Sequence, residues 1–569
     1  MARLFNSVSI PLKRRNKFDL SHQSCLTTEF GRLTPIMCEP VLPNDRFQLS
    51  TAIRIQFAPM TFPVFQKFTA YIHYFFVPNR LLWSKWEQFI TGGEDGLSGS
   101  PIEPGGLIDP PYPVIKLNSE FAEVASEEGI FASSALFDYL GFPAFKTSVD
   151  VEAVGLREHE FDALPFKAYQ LIYNEWYRDQ NLTDPVDIHP EMSGVQDNDD
   201  DFAYQVSLMS LRQRAWKKDY FTSALPDPQR GPDVTLPLVG DMDVVADGVG
   251  DIKVNITGAR SAADPNQSYA MKRRVDVETG DQTFAVTQQS GEIADPVILT
   301  GGQSKSVVAD GLKVSTSELR SATINEVRRA FAVQRWYELA ARAGSRYVEQ
   351  ILAHFGIRSS DARLQRPEYL GGSVVPIMVG DILQTSETQT TPLGTPAGVA
   401  QGAGRVKPVR RTFEEHGWII GILSVIPEAS YPEGMPRKFL KRDKFDFAWP
   451  LLANLGEQEI ESQELYFDPE ASKETNKQGF GYAPRYSEYK YGSGQVHGSF
   501  RDTLRDFHDA RFFDSRPALN DDFVTVQASG KSGLNRIFAV TLTNYDHLWV
   551  NLYNDIKVRR VLPKYGTPI

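Results

Sequence analysis

The clearest pattern in the chain is an alternation of apolar and polar residues from position 46 to position 57, RFQLSTAIRIQF. A period of two places alternate side chains on opposite faces of a strand, so this segment predicts a long strand with one buried face. The predicted buried side chains are Phe47, Leu49, Thr51, Ile53, Ile55 and Phe57. The alternation by itself does not show what the opposite, polar face contacts.

Further elements follow from the same patterns. Residues 68–76 predict a second strand in which Phe68, Ala70, Ile72, Tyr74 and Phe76 share a face, and strands are expected again at 413–426, 523–528 and 536–553. Apolar residues at helical spacing predict helices at 81–90, 165–178 and 317–355, the last divided near Gly344. Strands at both ends of the chain must pair across long connections. This arrangement favours a β-sandwich, of which the jelly roll is the commonest design with such connections.

The chain divides into four predicted parts. Residues 1–45 are polar and rich in proline, and they predict an N-terminal arm; residues 46–230 hold the first part of the sandwich. Residues 231–316 contain only two aromatic residues and carry twelve acids against seven bases. Their composition predicts an exposed, β-rich surface insertion. Residues 317–569 hold the second part of the sandwich and a basic C-terminal tail.

Composition excludes several classes of protein. The net charge of −12 argues against a protein that wraps duplex DNA over its whole surface. Two cysteines, Cys25 and Cys38, are too few for a disulfide framework and are expected to be reduced thiols. The first residues lack the apolar core of a signal peptide, and no run of 18 apolar residues predicts a membrane span. We therefore expect synthesis in a cytoplasm, without membrane insertion.

No motif predicts catalysis or a cofactor. Histidines do not occur at ligand spacing, and residues 525–532 lack the first glycine of a P-loop. The segment Asp197–Asp201 begins like a calcium loop, but Phe202 replaces the required glycine and Leu208 the required glutamate. A solvated acidic loop is the favoured interpretation, with an irregular Ca²⁺ site as the alternative. A carbohydrate-binding or carbohydrate-degrading β-sandwich stays open, because paired carboxylates are recognised by distance and not by sequence.

Both ends of the chain are basic, on an acidic body. The basic side chains predicted to bind DNA are Lys13, Arg14, Arg15, Lys17, Lys557, Arg559, Arg560 and Lys564. Flexible basic ends are suited to neutralising a single-stranded phosphate backbone, and improved solubility is the plainer alternative. Tyrosines around Lys490 could stack on bases, although sheet or interface packing is their more frequent use. These tyrosines are Tyr486, Tyr489 and Tyr491.

Eight segments, in order along the whole chain, resemble the major capsid protein of the Microviridae, small icosahedral single-stranded DNA phages, and within them the gokushovirus group. The segments are NKFDLSHQSCLTTEFGRLTPIMCEPVLPNDRFQLS (16–50), YNEWYRDQNL (173–182), KKDYFTSALPDPQRG (217–231), FGIRSSDARLQRPEYLGG (355–372), EHGWIIGI (415–422), KFDFAWPLLANLGEQEI (444–460), GFGYAPRYSEYKYGSGQVHGSFR (479–501) and LPKYGTPI (562–569). Residues 231–316 resemble nothing familiar, which agrees with the variable insertion of this family.

The resemblance implies an eight-stranded antiparallel jelly roll of the viral capsid type, with long inserted loops and several helices. It implies a T=1 shell of many copies around a circular single-stranded DNA genome, assembled in the host bacterial cytoplasm. The implied partners are an internal scaffolding protein, a small DNA-binding protein and a DNA pilot protein. The insertion would form a protrusion at the three-fold axis and could touch a host-surface receptor. The resemblance brings no enzymatic activity, cofactor or metal.

Overall fold

The fold is taken from a computed structural model of the full chain. The structure describes residues 15–94, 98–99, 108–117, 132–144, 159–192, 199–232, 324–343, 346–356, 358, 360–385, 393–529, 533–540, 542 and 545–565, together with the backbone of six strands between 244 and 314. Contacts divide the chain into two compact units, one of residues 1–230 and 338–569 and one of residues 231–337.

The described part of the chain is mainly β. Its strands are β1 (Asn16–Asp19), β2 (His22–Thr28), β3 (Thr34–Val41), β4 (Arg46–Phe57), β5 (Phe68–Pro78), β6 (Val114–Leu117), β7 (His159–Asp162), β8 (Val244–Ala246), β9 (Lys253–Ile256), β10 (Tyr269–Val275), β11 (Gln282–Gln288), β12 (Val307–Asp310), β13 (Leu312–Val314), β14 (Glu368–Leu383), β15 (Pro396–Arg405), β16 (Val409–Thr412), β17 (Gly417–Pro427), β18 (Glu457–Glu461), β19 (Gly479–Pro484) and β20 (Leu548–Arg560).

Helices are shorter and lie between the strands. The α-helices are α1 (Asn79–Leu82), α2 (Trp86–Thr91), α3 (Leu136–Tyr139), α4 (Leu164–Ile172), α5 (Asp199–Met209), α6 (Ile324–Ala343), α7 (Tyr347–Phe355), α8 (Lys473–Asn476) and α9 (Asp521–Val524). A π-helical turn (Tyr173–Tyr177) continues α4. The 3₁₀ turns are Arg437–Phe439, Pro450–Asn454, Ser462–Glu464, Ser487–Tyr489, Gly498–Arg501, Arg505–Phe507 and Leu534–Ile537.

One large antiparallel sheet organises the first unit. Its main path runs β1-β20-β4-β15-β14-β5-β17-β3, with β2 paired to β20 and β16 paired to β4. Strand β14 belongs to both halves, because residues 368–377 pair with β5 and residues 378–383 pair with β15. The predicted jelly-roll class is confirmed. The main path has the predicted eight strands, and the two additional strands bring the described sheet to ten.

The main core lies between the two halves of this sheet. As predicted, the alternate residues of β4 are buried there, and so is the predicted face of β5. Four phenylalanines meet at its centre, with Phe30 5.4 Å from both Phe57 and Phe68 and 5.8 Å from Phe538 between ring centroids. Each fully buried phenylalanine contributes about 1.5–3 kcal/mol of transfer free energy, so this cluster is a large local source of stability.

A second core covers the outer face of β5, β17 and β3. Strand β17 has the sequence GWIIGILSVIP, and all of its residues but one are buried. Both faces are covered, because helix α4 packs on the face that points away from the main core. Phe75 and Ile422 belong to this second core, whereas Tyr74 and Leu423 belong to the first. The predicted helix at 165–178 is confirmed as α4 with its π-helical continuation.

The structure differs from the sequence-based expectations in four places. Residues 16–41 of the predicted arm form β1, β2 and β3, because their backbone groups pair with β20 and β17. The predicted helix at 81–90 is interrupted and forms α1 and α2. Residues 523–528 are not a strand: Asn520 caps α9 there by accepting a hydrogen bond from the Phe523 amide. The last strand begins at Leu548 and continues to Arg560.

The second unit contains a four-stranded sheet of order β11-β10-β9-β12 and a two-stranded sheet of β13 with β8. It begins at Gly231, where the predicted insertion begins, and extends to Tyr337 rather than to residue 316. The predicted helix at 317–355 is present as α6 and α7 from Ile324 onward, and the residues before it lie outside the described part.

Candidate nucleic-acid interface and shell contacts

Strand pairing brings the two basic ends of the chain together. In β1, Lys17 lies opposite Arg559 of β20, and Arg559 lies opposite Arg46 of β4. The next row on the same face joins Lys557 of β20 to Gln48 of β4, and Gln48 to Arg410 of β16. Directly opposite residues share one face of a sheet. We call the surface formed by Lys17, Arg46, Arg410, Lys557 and Arg559 the basic face.

The basic face surrounds a cavity of about 300 Å³. Like charges placed directly opposite each other across a sheet repel and cost stability. Lys17, Arg559 and Arg46 form such a row of three cations. An anion over this row would relieve the repulsion, so the geometry is suited to phosphate.

Two carboxylates moderate the charge at the edge of the basic face. Asp555 accepts hydrogen bonds from Lys557 and Arg405, each at 2.9 Å, and this contact raises the pKa of Lys557. Asp19 accepts a hydrogen bond from the Ser21 backbone amide and another from its hydroxyl, and these bonds lower the pKa of Asp19. The five cations of the basic face outnumber these two carboxylates.

The same polar face continues along β4 and β20 away from the basic face. Arg54 and Gln56 of β4 and Trp549 and Asn551 of β20 line a cavity of about 570 Å³ together with residues 133–139. Next to it Tyr553 is half exposed. Aromatic rings between basic side chains are typical of surfaces that bind single strands, because rings stack on bases of any sequence.

The predicted DNA-binding residues fall into three groups. Lys13 and Arg14 lie outside the described residues. Lys17, Lys557 and Arg559 belong to the basic face. Arg15 donates to Asn44, and Lys564 lies 5.8 Å from the ring centroid of Tyr565. Arg560 points to the opposite face of the sheet, where it donates to Asp45 at 2.8 Å and to the Pro40 carbonyl at 2.6 Å.

The prediction that these basic ends are flexible was wrong for the described residues, because residues 16–19 and 548–560 are strands with paired backbones. Four arginines on the same polar face were missed: Arg46, Arg54, Arg405 and Arg410. Alternation along residues 46–57 already placed Arg46 and Arg54 on the polar side. The register that joins them to β20 and β16 could not be deduced from sequence.

A separate apolar surface is exposed in the loop from residue 437 to residue 455. Six large side chains there are exposed, Leu451 most of all at 88%. The others are Phe439, Phe445, Phe447, Trp449 and Leu455. Lys441 lies 3.7 Å from the ring centroid of Tyr489, which is itself exposed, as is Tyr491, whereas Tyr486 is buried. Exposed apolar patches of this kind mark contact surfaces with other molecules.

The remaining chemistry of the described part is structural. His73 is a hydrogen-bonded structural residue, because its Nδ1 lies 2.8 Å from the Tyr177 hydroxyl. Cys25 and Cys38 are both free. Among the described residues no cluster of three His, Cys, Asp or Glu side chains could hold a metal ion. The side chains of Asp197–Asp201, the considered Ca²⁺ site, lie outside that part. No described helix has the length and apolarity to cross a membrane.

Comparison with known proteins covers the entire chain. The sequence model of a protein family described as "Capsid protein (F protein)" matches residues 7–569. The chain is 31% identical to "Capsid protein VP1" of Chlamydia phage 1, over 100% of this chain and 98% of that protein. It is 30% identical to "Capsid protein VP1" of Bdellovibrio phage phiMH2K, over 97% of this chain and 95% of that protein. It is also 26% identical to "Capsid protein VP1" of Spiroplasma virus 4 over 99% of this chain.

Proposed function

Because the chain belongs to the phage capsid protein (F protein) family, we propose that its copies form a T=1 icosahedral shell around a circular single-stranded DNA genome. The protein itself is a major capsid protein, a structural and non-enzymatic component of the virion that assembles with copies of itself. Our proposal adds the T=1 geometry of the shell, the identity of the genome and the further partners of assembly.

The basic face is the observation that supports contact with the genome. Its cations come from both ends of the chain and from β4 and β16, and they lie on one side of the shell-forming sheet in a chain whose net charge is −12. When positive charge is concentrated on one face of an acidic protein, that face attracts the phosphates of DNA and the rest of the surface repels them. The basic face would therefore line the interior of the shell.

A triple substitution tests this contact. We expect Arg46→Ala, Lys557→Ala and Arg559→Ala together to leave shells intact in electron micrographs but to lower the DNA they retain. Each lost phosphate contact should reduce the salt dependence of DNA binding, the slope of the log binding constant against log salt concentration, by about 0.7. The matched control replaces the exposed lysines Lys67, Lys473 and Lys477 with alanine. Equal retention in both triple variants would refute a genome-binding role for the basic face.

The exposed apolar loop supports contact between copies. A closed shell repeats one set of interfaces by symmetry, and each interface needs an apolar patch with aromatic side chains at its centre. Phe445, Trp449 and Leu451 supply such side chains on a surface that would otherwise be costly to expose to water. We therefore assign residues 437–455 to an interface between neighbouring subunits.

The second unit supports a further role at the outer surface. Residues 231–337 form a compact unit of their own, so they can be varied without rebuilding the sheet. A protrusion at the three-fold axis that contacts a host-surface receptor is consistent with this separation. Assembly would also involve the internal scaffolding protein, the small DNA-binding protein and the DNA pilot protein that the family resemblance implies.

A further inference from the structure

The first unit contains a cavity of about 650 Å³, apart from the basic face. Its walls come from β5 (His73 and Phe75), from residues 176–181, from residues 214–225, from residues 341–349 and from Tyr369 of β14. Three of these walls fall in segments that carry the capsid resemblance. The volume lies in the range of small-ligand sites.

Positive charge predominates in the walls of this cavity. The cations that line it are Arg178, Arg214, Lys217, Lys218, Arg342 and Arg346, and the carboxylates are Asp179 and Glu349. Lys218 is paired with Asp179, and Arg346 lies 3.6 Å from Glu349. Arg342 is paired with Glu457, which is outside the lining. These pairs leave half of the lining cations without a carboxylate.

Three of the lining cations form no ion pair among the described residues. Within the described part of the chain, no carboxylate lies at ion-pair distance from Arg178, Arg214 or Lys217. Burial lowers the pKa of both arginines, and the charge of Arg346 lowers that of Arg178 further. His73 adds no charge, because burial and Arg214 lower its pKa to about 4. Arg178 and Arg214 are half-buried, whereas Lys217 is exposed, and Glu175 and Asp179 attract Arg178 without forming an ion pair with it. Half-buried positive charge without an ion pair is costly, and an anion in the cavity would offset that cost.

Aromatic rings form the other part of the wall. The rings of Trp176 and Tyr369 lie 5.6 Å apart between centroids, and Phe75 lies 5.5 Å from Trp176. Tyr369 is 42% exposed, so one part of its ring is available to a ligand. Arg214 lies 4.1 Å from the ring centroid of Tyr71 and donates to the Ser424 hydroxyl at 2.8 Å, which fixes the guanidinium in position.

We propose that this cavity is a nucleotide-binding site, with the phosphate held by Arg178, Arg214 and Lys217 and the base stacked on the exposed part of the Tyr369 ring. Guanidinium and ammonium groups are the usual ligands of phosphate, and aromatic faces are the usual platforms for bases. The nucleotide is either a free one or one residue of a DNA strand. Binding of a residue of a DNA strand rests on the proposed function, whereas binding of a free nucleotide does not.

Titration calorimetry on the purified, unassembled full chain tests the site with three probes: dTMP, inorganic phosphate and the octamer of thymidylate. We expect dTMP to bind more tightly than phosphate. Lys217→Ala should weaken binding of dTMP by about tenfold, equivalent to about 1.4 kcal/mol. The control Lys477→Ala, at an exposed lysine outside the cavity, should leave binding unchanged. Tyr369→Leu should weaken dTMP but not phosphate, since it removes a stacking surface and no charge.

The octamer distinguishes the two sources. Tighter binding of the octamer than of dTMP, lost in Lys217→Ala, assigns the site to a strand; equal binding assigns it to a free nucleotide. No binding of dTMP by the folded chain would overturn the proposal, and so would binding of phosphate and dTMP with equal affinity and no effect of Tyr369→Leu. Shell formation, recorded separately by electron microscopy, tests the proposed function and does not depend on this result.

Discussion

At the scale of single residues, Asp509 is a carboxylate in an unusual environment. Asp509 is fully buried, and neither of its side-chain oxygens has a hydrogen-bond partner. Arg536 lies 3.3 Å away and offsets part of the cost of burying the charge. Burial nevertheless dominates and raises the pKa of Asp509 to about 7. The charged form of this side chain therefore destabilises the fold.

This environment predicts a pH dependence with a definite sign. The pKa of Asp509 in the folded chain lies above its unfolded value of about 4, so the unfolded state loses the proton first as pH rises. The free energy of unfolding should fall between about pH 4 and pH 7, at no more than about 1.4 kcal/mol per pH unit. Asp509→Asn cannot ionise and should lack this fall.

Chemical denaturation of the unassembled chain at a series of pH values measures the effect. The difference in stability between Asp509→Asn and the original chain should shift in favour of the variant as pH rises through that window. The exposed Asp502→Asn serves as control, and its difference should stay constant. A constant difference for Asp509→Asn as well would contradict the assigned environment.

At the scale of elements, strand β15 shows how the sheet accommodates its bulky neighbours. Its sequence, PAGVAQGAGR, has a single strand-forming residue, Val399, and sequence patterns did not predict this strand. It lies between β4 and β14, and Gly404 is opposite Ile53 of β4. A Cβ atom at Gly404 would lie 2.7 Å from Val375 Cγ2, so only glycine fits against the β14 side chain.

We therefore expect Gly404→Ala to destabilise the chain by about 1–3 kcal/mol, because the added methyl group forces a shift in packed neighbours. Gly380→Ala is a matched control in β14, where the added Cβ would meet nothing closer than the Val399 carbonyl oxygen at 3.8 Å. Urea denaturation of both variants gives the comparison. Equal stability of the two variants would show that β15 can move away from β14 without cost.

At the scale of the whole molecule, the chain combines a sheet-based unit with an inserted one. The insertion leaves the first unit after Arg230 and returns at Glu338, and among the described residues between them none belongs to a strand of the main sheet. The jelly-roll sheet is therefore complete without the second unit among the described residues. This separation predicts that shell formation and surface recognition are separable functions.

Deleting residues 240–300 tests that separation. We expect the shortened chain to form shells and to lose adsorption to host cells, since the deletion spares all ten described strands of the main sheet. Shell yield is measured by sedimentation and electron microscopy, and adsorption by depletion of particles from a host culture. Loss of shells would instead assign the insertion to a contact at the three-fold axis, and unchanged adsorption would remove the insertion from host recognition.

Sequence patterns predicted the elements with strong periodicity and missed those without it. The alternation in β4 and β5 and the helical stripe of α4 were read correctly, because burial of one face imposes a regular pattern on the sequence. Strand β15 was missed, and residues 523–528 were assigned to the wrong class. In β15, pairing with distant strands outweighs local propensity, whereas at 523–528 the local Asn520 cap ends the expected strand pattern.

The basic residues of the candidate interface were predicted from the sequence, but their arrangement on one face was not. The basic character of both termini was visible in the sequence, and so were Lys17, Lys557 and Arg559 as candidates. Their meeting with Arg46 and Arg410 depends on the registers of three strand pairs. Arg560, one residue away from Arg559, faces the other side and is paired with Asp45. A shift of one residue moves a side chain to the opposite face, and composition carries no information about that choice.

The sequence by itself determined that the chain is an acidic, mainly β protein with a composition break at residue 231, and its segments identified the capsid family. Local periodicity and composition are enough for such conclusions, because they are properties of neighbouring residues. Only the tertiary structure decided which cations share a face, which of them are neutralised, and where a cationic cavity lies beside aromatic rings. Those facts arise from pairing between residues hundreds of positions apart, and no local pattern records that pairing.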